Sequence, residues 1–295
     1  MSSKPKPTPT IFFSIGSWLT PEPFTPLCNK LLEKNIPSEV PAHPSIDAEP
    51  PTKGLTDDIT SLRSVLTRLI EDEGKDVVVV GHSSGGISAS GAVEGLSKKE
   101  RVKEGKEGGV LMVVYMAAFV LDKGMSLLDM LGGEYLPWME VDGDYVRVNS
   151  NPDIAFHDVS PTDQQRYSSS LQHTSRVLFS GTATYEPWHT IPTAYIITDE
   201  DRALPPQLQE IMAGKLGTEP ELVVRVKSSH SPFLSMPGEL ADVLERLVAR
   251  AASTSASTAE KVVESDKVPV AQEIGTSKLR TWLSYVRGRL FGGTA

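Results

Sequence analysis

Short runs of consecutive apolar residues alternate along the chain with segments in which apolar residues recur at every third or fourth position. The apolar runs predict strands at Thr10–Gly16, Ser38–Pro41, Asp76–Val80, Val110–Met116, Thr193–Thr198 and Leu222–Val226. The segments with helical spacing predict helices at Phe24–Lys34, Asp57–Glu71, Gly85–Leu96 and Glu239–Arg250. Because the apolar runs are continuous, both faces of the strands are expected to be covered, as in a parallel sheet flanked by helices. The pattern therefore predicts an α/β fold.

The alternation of strands and helices stops between about residues 121 and 190, where Gly, Pro, Trp and Tyr become frequent. Such a break is too long for a plain connecting loop, so we interpret it as an inserted lid. Its large aromatic residues are expected to line an apolar pocket or to form the core of the lid itself. They are Tyr135, Trp138, Tyr145 and Trp188.

The composition is that of a soluble globular protein of 295 residues with a net charge of −9. Cys28 is the only cysteine, which excludes a disulfide scaffold. The acidic balance argues against a nucleic-acid partner. Met1–Thr10 has no apolar stretch, and the longest apolar run, Val110–Leu121, is shorter than the ~20 residues of a membrane span. No signal and no transmembrane segment are therefore expected, and a cytoplasmic location is the prediction.

The composition changes at residue 251. Ala251–Ala259 consists almost entirely of small residues, which predicts a flexible linker over residues 251–277 after a domain that spans residues 10–250. Residues 278–295 form a basic tail, in which Lys278–Phe291 has four positive charges and apolar residues at helical spacing. An amphipathic tail of this kind is expected to dock on a protein surface, on the body of this chain or on a membrane surface.

The strongest chemical motif is Gly81-His82-Ser83-Ser84-Gly85, which matches the pattern G-x-S-x-G. It directly follows a predicted buried strand and directly precedes a predicted helix, which is the setting of a nucleophile elbow. A glycine-rich phosphate loop is the alternative, but neither G-x-x-x-x-G-K-[ST] nor G-x-G-x-x-G follows a strand here. Ser83 is therefore the candidate nucleophile.

A serine nucleophile needs a histidine base, and the base needs a carboxylate that orients it. His230 follows the last predicted strand, and three acidic residues, Asp199, Glu200 and Asp201, follow the strand before it. We favour Asp201, with Asp199 as the alternative, because the longer turn lets its carboxylate bend toward His230. The other histidines are interpreted as turn, surface or lid residues; they are His43, His82, His157, His173 and His189.

Two backbone N–H groups are candidate donors to the oxyanion that forms during acyl transfer. The N–H of Ser84 follows the nucleophile, and the N–H of Ser17 belongs to the loop after the first strand. Gly16 would allow the backbone to approach the substrate closely, and Trp18, like Trp138 and Trp188, is a candidate pocket residue.

Several motifs occur in the order typical of one superfamily: IFFSIGSW, PSIDAEPPTKGLTDDI, KDVVVVGHSSGG, TAYIITDEDRALP and SSHSPFLSMPGELA. Over residues 10–250 the chain resembles the α/β-hydrolase superfamily, in the small-lid branch of plant methyl esterases, hydroxynitrile lyases and related microbial esterases. The resemblance implies an α/β-hydrolase fold, the triad Ser83, Asp201 and His230, and oxyanion donation by the N–H groups of Ser17 and Ser84.

Two positions depart from that branch. Hydroxynitrile lyases have a lysine directly after the catalytic histidine, whereas this chain has Ser231, which argues against cyanohydrin cleavage. The second His-Gly pair of the plant enzymes is replaced by Leu19-Thr20-Pro21. The identity of the substrate therefore does not follow from the resemblance.

The leading hypothesis is a serine esterase or lactonase that acts on a small, largely apolar molecule. No cofactor is needed, and no Cys/His cluster has the spacing of a metal site. One alternative is a lyase or cyclase that uses the same triad for acid–base chemistry. The other is a non-catalytic ligand-binding protein on a hydrolase fold.

Overall fold

The computed structural model describes residues 7–149 and 153–261. Its strands are β1 (Thr10–Ser14), β2 (Ser38–Glu39), β3 (Asp76–His82), β4 (Gly109–Met116), β5 (Met139–Asp142), β6 (Tyr145–Val148), β7 (Thr174–Ser175), β8 (Thr193–Thr198) and β9 (Val223–Val226). Its α-helices are α1 (Thr25–Glu33), α2 (Leu55–Thr67), α3 (Gly85–Ala92), α4 (Lys98–Lys103), α5 (Leu127–Met130), α6 (Pro161–Ser170), α7 (Val177–Ser180), α8 (Pro206–Lys215), α9 (Pro232–Ser235) and α10 (Pro237–Lys261).

The central sheet has the strand order β2-β1-β3-β4-β8-β9, and every neighbouring pair in it is parallel. Successive side chains of a strand point to opposite faces. Val77 and Val79 accordingly join the apolar core that contains residues of α2 and α3, whereas Val78 and Val80 join the core that contains residues of α1 and α10. The predicted parallel α/β sheet, covered on both faces, is confirmed.

Residues 117–192, called the insert below, connect β4 to β8 and contain α5, α6, α7 and a small antiparallel sheet of order β5-β6-β7. This is the region in which the sequence loses its strand–helix alternation. Trp18 joins the insert to the loop after β1 through three hydrogen bonds. Its backbone N–H donates to Thr174 Oγ1 at 2.9 Å and its indole N–H to Val146 O at 2.9 Å, and its carbonyl accepts from Gln172 N at 2.9 Å.

The last helix is longer than the sequence pattern predicts. α10 runs to Lys261, so the prediction that a linker begins at residue 251 is wrong. Alanine has the highest helix propensity, and Ala251, which is only 2% exposed, packs in the core beside the preceding helical turns. A helix already held by such packing continues through small residues that would not start one. Residues 262–277 of the predicted linker and the predicted basic tail lie outside the described residues.

Other boundaries differ in ways that matter for the site. β3 continues to His82, two residues beyond the predicted end, and so reaches the candidate nucleophile. α3 ends at Ala92, before a turn in which Gly95 adopts a positive φ of 70°. The short helices α4 and α8 were not predicted. Within the described part of the chain, none of the helices is long and apolar enough to span a membrane.

Candidate active site

Ser83 lies on a sharp turn between the end of β3 and the start of α3. Its backbone has φ of 53°, in the left-handed region that a non-glycine residue rarely occupies. Glycines make room for this turn: a Cβ on Gly16 would lie 2.9 Å from Ser83 Cβ, and a Cβ on Gly85 would collide with the carbonyls of Ser14 and Ile15. The strand–turn–helix setting of a nucleophile elbow is therefore present at Ser83.

Asp201 and His230 form the closest pair of ionisable side chains at the site. Asp201 follows β8, His230 follows β9, and His230 Nδ1 lies 2.7 Å from Asp201 Oδ2. Since an ionised carboxylate only accepts hydrogen bonds, Nδ1 carries the proton in this contact. This contact leaves Nε2 of the imidazole free to act as a base toward the cavity.

The Asp201 carboxylate is fixed by four further donors. Oδ1 accepts from the backbone N–H groups of Ala203 at 2.9 Å and Leu204 at 2.8 Å. Oδ2 accepts from Thr198 Oγ1 at 2.9 Å and Gln209 Nε2 at 3.0 Å. The side chain of Asp201 is fully buried. Hydrogen bonds of this number hold a buried carboxylate in one orientation.

Asp199, the alternative acid, is directed elsewhere. Its Oδ1 accepts from Arg225 Nε at 2.8 Å, and the side chain is 35% exposed. Asp201 is therefore the residue that contacts His230. The longer turn before Asp201 lets its carboxylate bend back toward His230, which is the geometry predicted from the sequence.

Ser83 and His230 line the same cavity, but no hydrogen bond joins their side chains, although both lie in the described part of the chain. Contacts between a nucleophile and its base are commonly long in the free enzyme and shorten when substrate binds. The structure thus places Ser83 and His230 on the lining of one cavity, with the buried Asp201 behind His230 and in contact with it.

The two predicted oxyanion donors differ in their surroundings. The N–H of Ser17 donates to Ser84 Oγ at 2.8 Å, and the two hydroxyl oxygens also lie 2.8 Å apart. The backbone N–H groups of Ser84 and Gly16, by contrast, have no acceptor among the described residues. Gly16 directly faces Ser83, so its N–H is a further candidate donor that the sequence analysis did not identify.

His82 is a structural partner of His230 rather than a turn residue. Its Nε2 donates to the backbone carbonyl of His230 at 2.9 Å, and the two rings lie 4.7 Å apart. Burial lowers the pKa of His82 well below its ordinary value, and electrostatic repulsion between the two rings acts in the same direction, so His82 is neutral at pH 7. Its Nδ1 is buried and has no partner among the described residues.

A second Ser–His–Asp group lies below the site and was not predicted. Ser14 Oγ donates to Gly85 O at 2.8 Å and lies 3.2 Å from His43 Nε2. His43 Nδ1 lies 3.4 Å from Asp58 Oδ2, which also accepts from Ser45 Oγ at 2.7 Å. His43 is only 5% exposed, so its interpretation as a surface or lid residue is wrong. Its partner lies 15 residues away on α2, outside the reach of any local pattern.

The cavity above Ser83 has a volume of about 760 Å³, which includes solvent at its open mouth. Trp18 and Trp138 both line it, in edge-to-face contact with ring centroids 5.5 Å apart. Trp188, predicted as a pocket residue, does not; it lies in a 3₁₀ turn, where Lys215 Nζ is 6.0 Å from its ring centroid. The sequence shows that this region is rich in aromatic residues, but it does not show which of their side chains line the cavity and which pack behind its wall.

The wall of the cavity is divided by polarity. Its polar residues gather around the nucleophile: Ser17, His82, Ser83, Ser84, His230 and Ser231. The remaining lining is apolar, and more than half of all lining residues come from the insert. No lysine, arginine, aspartate or glutamate of the described residues lines it. Likewise, no group of three or more His, Cys, Asp or Glu within 7–149 and 153–261 could hold a metal ion.

Comparison with known proteins agrees with this geometry. The sequence profile of the Alpha/beta hydrolase family matches residues 12–243. The chain belongs to this family. It is 30% identical over 254 residues to Alpha/beta hydrolase nvfD of Aspergillus novofumigatus, covering 83% of this chain and 96% of that protein. It is also 25% identical over 189 residues to Methylesterase 17 of Arabidopsis thaliana, covering 56% of this chain and 63% of the relative.

A solved structure supports the fold of this hydrolase. The pyrethroid hydrolase of Sphingobium faniae JZ-2 superposes with a TM-score of 0.66, covering 83% of this chain and 99% of that one. The two sequences are 19% identical, so the likeness concerns the fold alone.

Proposed function

We propose that this hydrolase is a serine esterase that cleaves a carboxylic ester or lactone of a neutral, largely apolar molecule. One observation carries the proposal: the strained turn at Ser83 opens into the same apolar cavity as His230, whose Nδ1 contacts the buried Asp201. A nucleophile, a base and an oriented carboxylate at one end of an apolar pocket are the groups that acyl transfer requires.

In the proposed reaction Ser83 Oγ attacks the carbonyl carbon while its proton moves to His230 Nε2. Asp201 stabilises the imidazolium that forms, and the backbone N–H groups of Gly16 and Ser84, which have no acceptor among the described residues, stabilise the oxyanion. The N–H of Ser17 already donates to Ser84 Oγ and is not needed for this step. The oxyanion then collapses, the bond to the leaving oxygen breaks, and His230 protonates that oxygen. Water, activated by His230, hydrolyses the acyl-enzyme and restores Ser83.

The lining of the cavity supports the substrate class. Polar side chains surround only the reacting bond, so the rest of the substrate would contact hydrocarbon and aromatic surface. A carboxylate or ammonium on the substrate would lose hydration without gaining an ionic partner, which is costly. The name of one relative, Methylesterase 17, is consistent with an ester substrate.

The test uses Ser83→Ala with a panel of neutral aryl and alkyl esters and lactones. We expect kcat/KM to fall by about 10³-fold or more, because no other group replaces the nucleophile. A fluorophosphonate should label the wild-type chain, with the adduct located at Ser83 by mass spectrometry. Ser169→Ala, on the exposed surface of α6, is the matched control and should retain both properties.

A folded Ser83→Ala protein that retains the wild-type rate would disprove the esterase proposal. The same holds if the wild-type chain turns over none of the esters and is not labelled. A lyase or cyclase that uses Ser83 only for proton transfer would show labelling but no acyl-enzyme with any ester.

A further inference from the structure

The loop that presents His230 is held from outside the central sheet. Ser229, which precedes His230 and is fully buried, donates its backbone N–H to Asp158 Oδ2 at 2.7 Å. Its hydroxyl donates to Ala155 O at 2.9 Å, and Ser228 Oγ donates to Asp158 Oδ2 at 3.2 Å. Asp158 and Ala155 both belong to the insert. The insert therefore fixes the two residues directly before His230.

This attachment is separate from the contacts that the triad itself requires. Asp201 binds the imidazole ring of His230, and His82 binds its backbone carbonyl, but both belong to the strand ends of the central sheet. Asp158 lies 71 residues before Ser229 in the sequence. Its side chain does not line the cavity, so replacing it removes no part of the cavity lining.

Asp158 is suited to hold a backbone N–H. Burial acts to raise its pKa, but the hydrogen bonds from Ser229, Ser228 and Ser235 outweigh this effect and bring the pKa below the ordinary value. Among the described residues no lysine or arginine forms an ion pair with it. Oδ2 thus accepts hydrogen bonds from neutral donors of the loop, whereas Oδ1 is buried and has no partner among the described residues. Hydrogen bonds to a charged acceptor are stronger than those between neutral groups.

We propose that Asp158 is a positioning residue for His230, so that docking of the insert, and not the central sheet alone, sets the distance between the base and Ser83. The inference rests on the proposed role of His230 as the base. Without Asp158 the buried N–H of Ser229 has no acceptor, and the loop shifts to reach water or another partner. A displacement of 1 Å at a catalytic group lowers the rate by as much as about 100-fold.

The experiment compares Asp158→Ala, Asp158→Asn and Asp142→Asn in the full chain. Asp142 is an exposed carboxylate at the end of β5 in the same insert, which makes it the matched control. We expect Asp158→Ala to lower kcat about tenfold or more with KM within about twofold, because binding is kept and positioning is lost. The fluorophosphonate labelling rate of Ser83 should fall in parallel. Asp158→Asn, whose amide oxygen can still accept from Ser229, should recover most of the rate.

Ser229→Ala provides a second test if Asp158→Ala does not fold. It removes the hydroxyl that donates to Ala155 O and accepts from Ser231 N–H at 3.4 Å but keeps the backbone N–H that Asp158 binds, and we expect a smaller loss of kcat in the same direction. A folded Asp158→Ala protein with the kcat and labelling rate of the wild type would overturn the positioning role, while the esterase proposal stands. If Asp158→Ala does not fold, the same result in Ser229→Ala has the same consequence. If the wild-type chain is not labelled at Ser83 and turns over none of the esters, both proposals are overturned together.

Discussion

At the scale of single residues, two aspartates separated by one position have different surroundings. Asp201 is buried and accepts hydrogen bonds from its own loop, from Gln209 and from His230. Asp199 is partly exposed and pairs with Arg225 on the surface. The turn after β8 produces this difference, since it points one carboxylate beneath the histidine and the other toward solvent. Local geometry rather than residue type therefore separates the two.

This contrast predicts different effects for the same substitution. We expect Asp201→Asn to lower kcat/KM by about 10²-fold to 10⁴-fold, because an amide can hold the wrong tautomer of His230 and does not stabilise the imidazolium. Asp199→Asn should change it by less than about threefold. Steady-state kinetics with one activated ester measures both. Equal losses in the two variants would show that His230 is oriented by something other than Asp201.

Chain order and turn chemistry predict Ser83, Asp201 and His230 as the candidate triad, because each follows a strand that is recognisable from its own apolar run. The roles of His82 and His43 could not be found in this way. His82 bonds to a carbonyl 148 residues away, and the buried state of His43 depends on Asp58. The residues that neighbour these two histidines in the sequence do not indicate such distant partners. Their burial and their hydrogen bonds are therefore visible only in the tertiary structure.

At the scale of elements, the sequence pattern predicts the strands of the central sheet well and the edges of the helices less well. Continuous valine runs are unambiguous, because few other structures bury both faces of a short segment. The end of α10 was missed because a tract of alanine, serine and threonine has no apolar face of its own. The insert was recognised only as a loss of alternation, since strands as short as β7, with two residues, have no periodicity to detect.

The start of α2 offers a test of how the loop beneath the site is held. Asp58→Ala removes the buried acceptor of His43 and Ser45, and we expect the free energy of unfolding to fall by about 3–5 kcal/mol. Asp57→Ala, one residue earlier, removes a partly exposed carboxylate that accepts from Gly54 N–H and pairs with the exposed Lys53, and should cost about 1 kcal/mol. Urea denaturation of the two variants measures both changes. Similar values for the pair would mean that the His43–Asp58 contact adds no stability.

At the scale of the whole molecule, the buried neutral state of His82 makes stability depend on pH. The pKa of His82 is lowered in the folded chain, whereas in the unfolded chain it returns to about 6.5. Below that pH the unfolded state binds a proton that the folded state does not, so folding stability falls as the pH decreases. At pH values well below 6.5, the free energy of unfolding falls by about 1.4 kcal/mol per pH unit because of this one proton.

The measurement is the free energy of unfolding between pH 7.5 and 5.5 for the wild type, His82→Gln and His189→Gln. His82→Gln should flatten the decline, because glutamine does not titrate and can still donate to the carbonyl of His230. His189 is exposed and pairs with Glu186, so its replacement should leave the slope near that of the wild type. An unchanged slope in His82→Gln would exclude His82 as the source of the pH dependence.

The hydrogen bond from His82 to the carbonyl of His230 joins positions 148 residues apart. It also has a consequence for how the chain folds. These two residues become neighbours only after β3, β4, β8 and β9 have paired in order, and each pairing closes a long loop whose entropy must be lost first. The candidate catalytic centre therefore has no precursor within any single βα unit. During refolding we expect it to form only when the sheet is complete, so a chain arrested before β9 docks would have the turn at Ser83 but not the proposed base, His230.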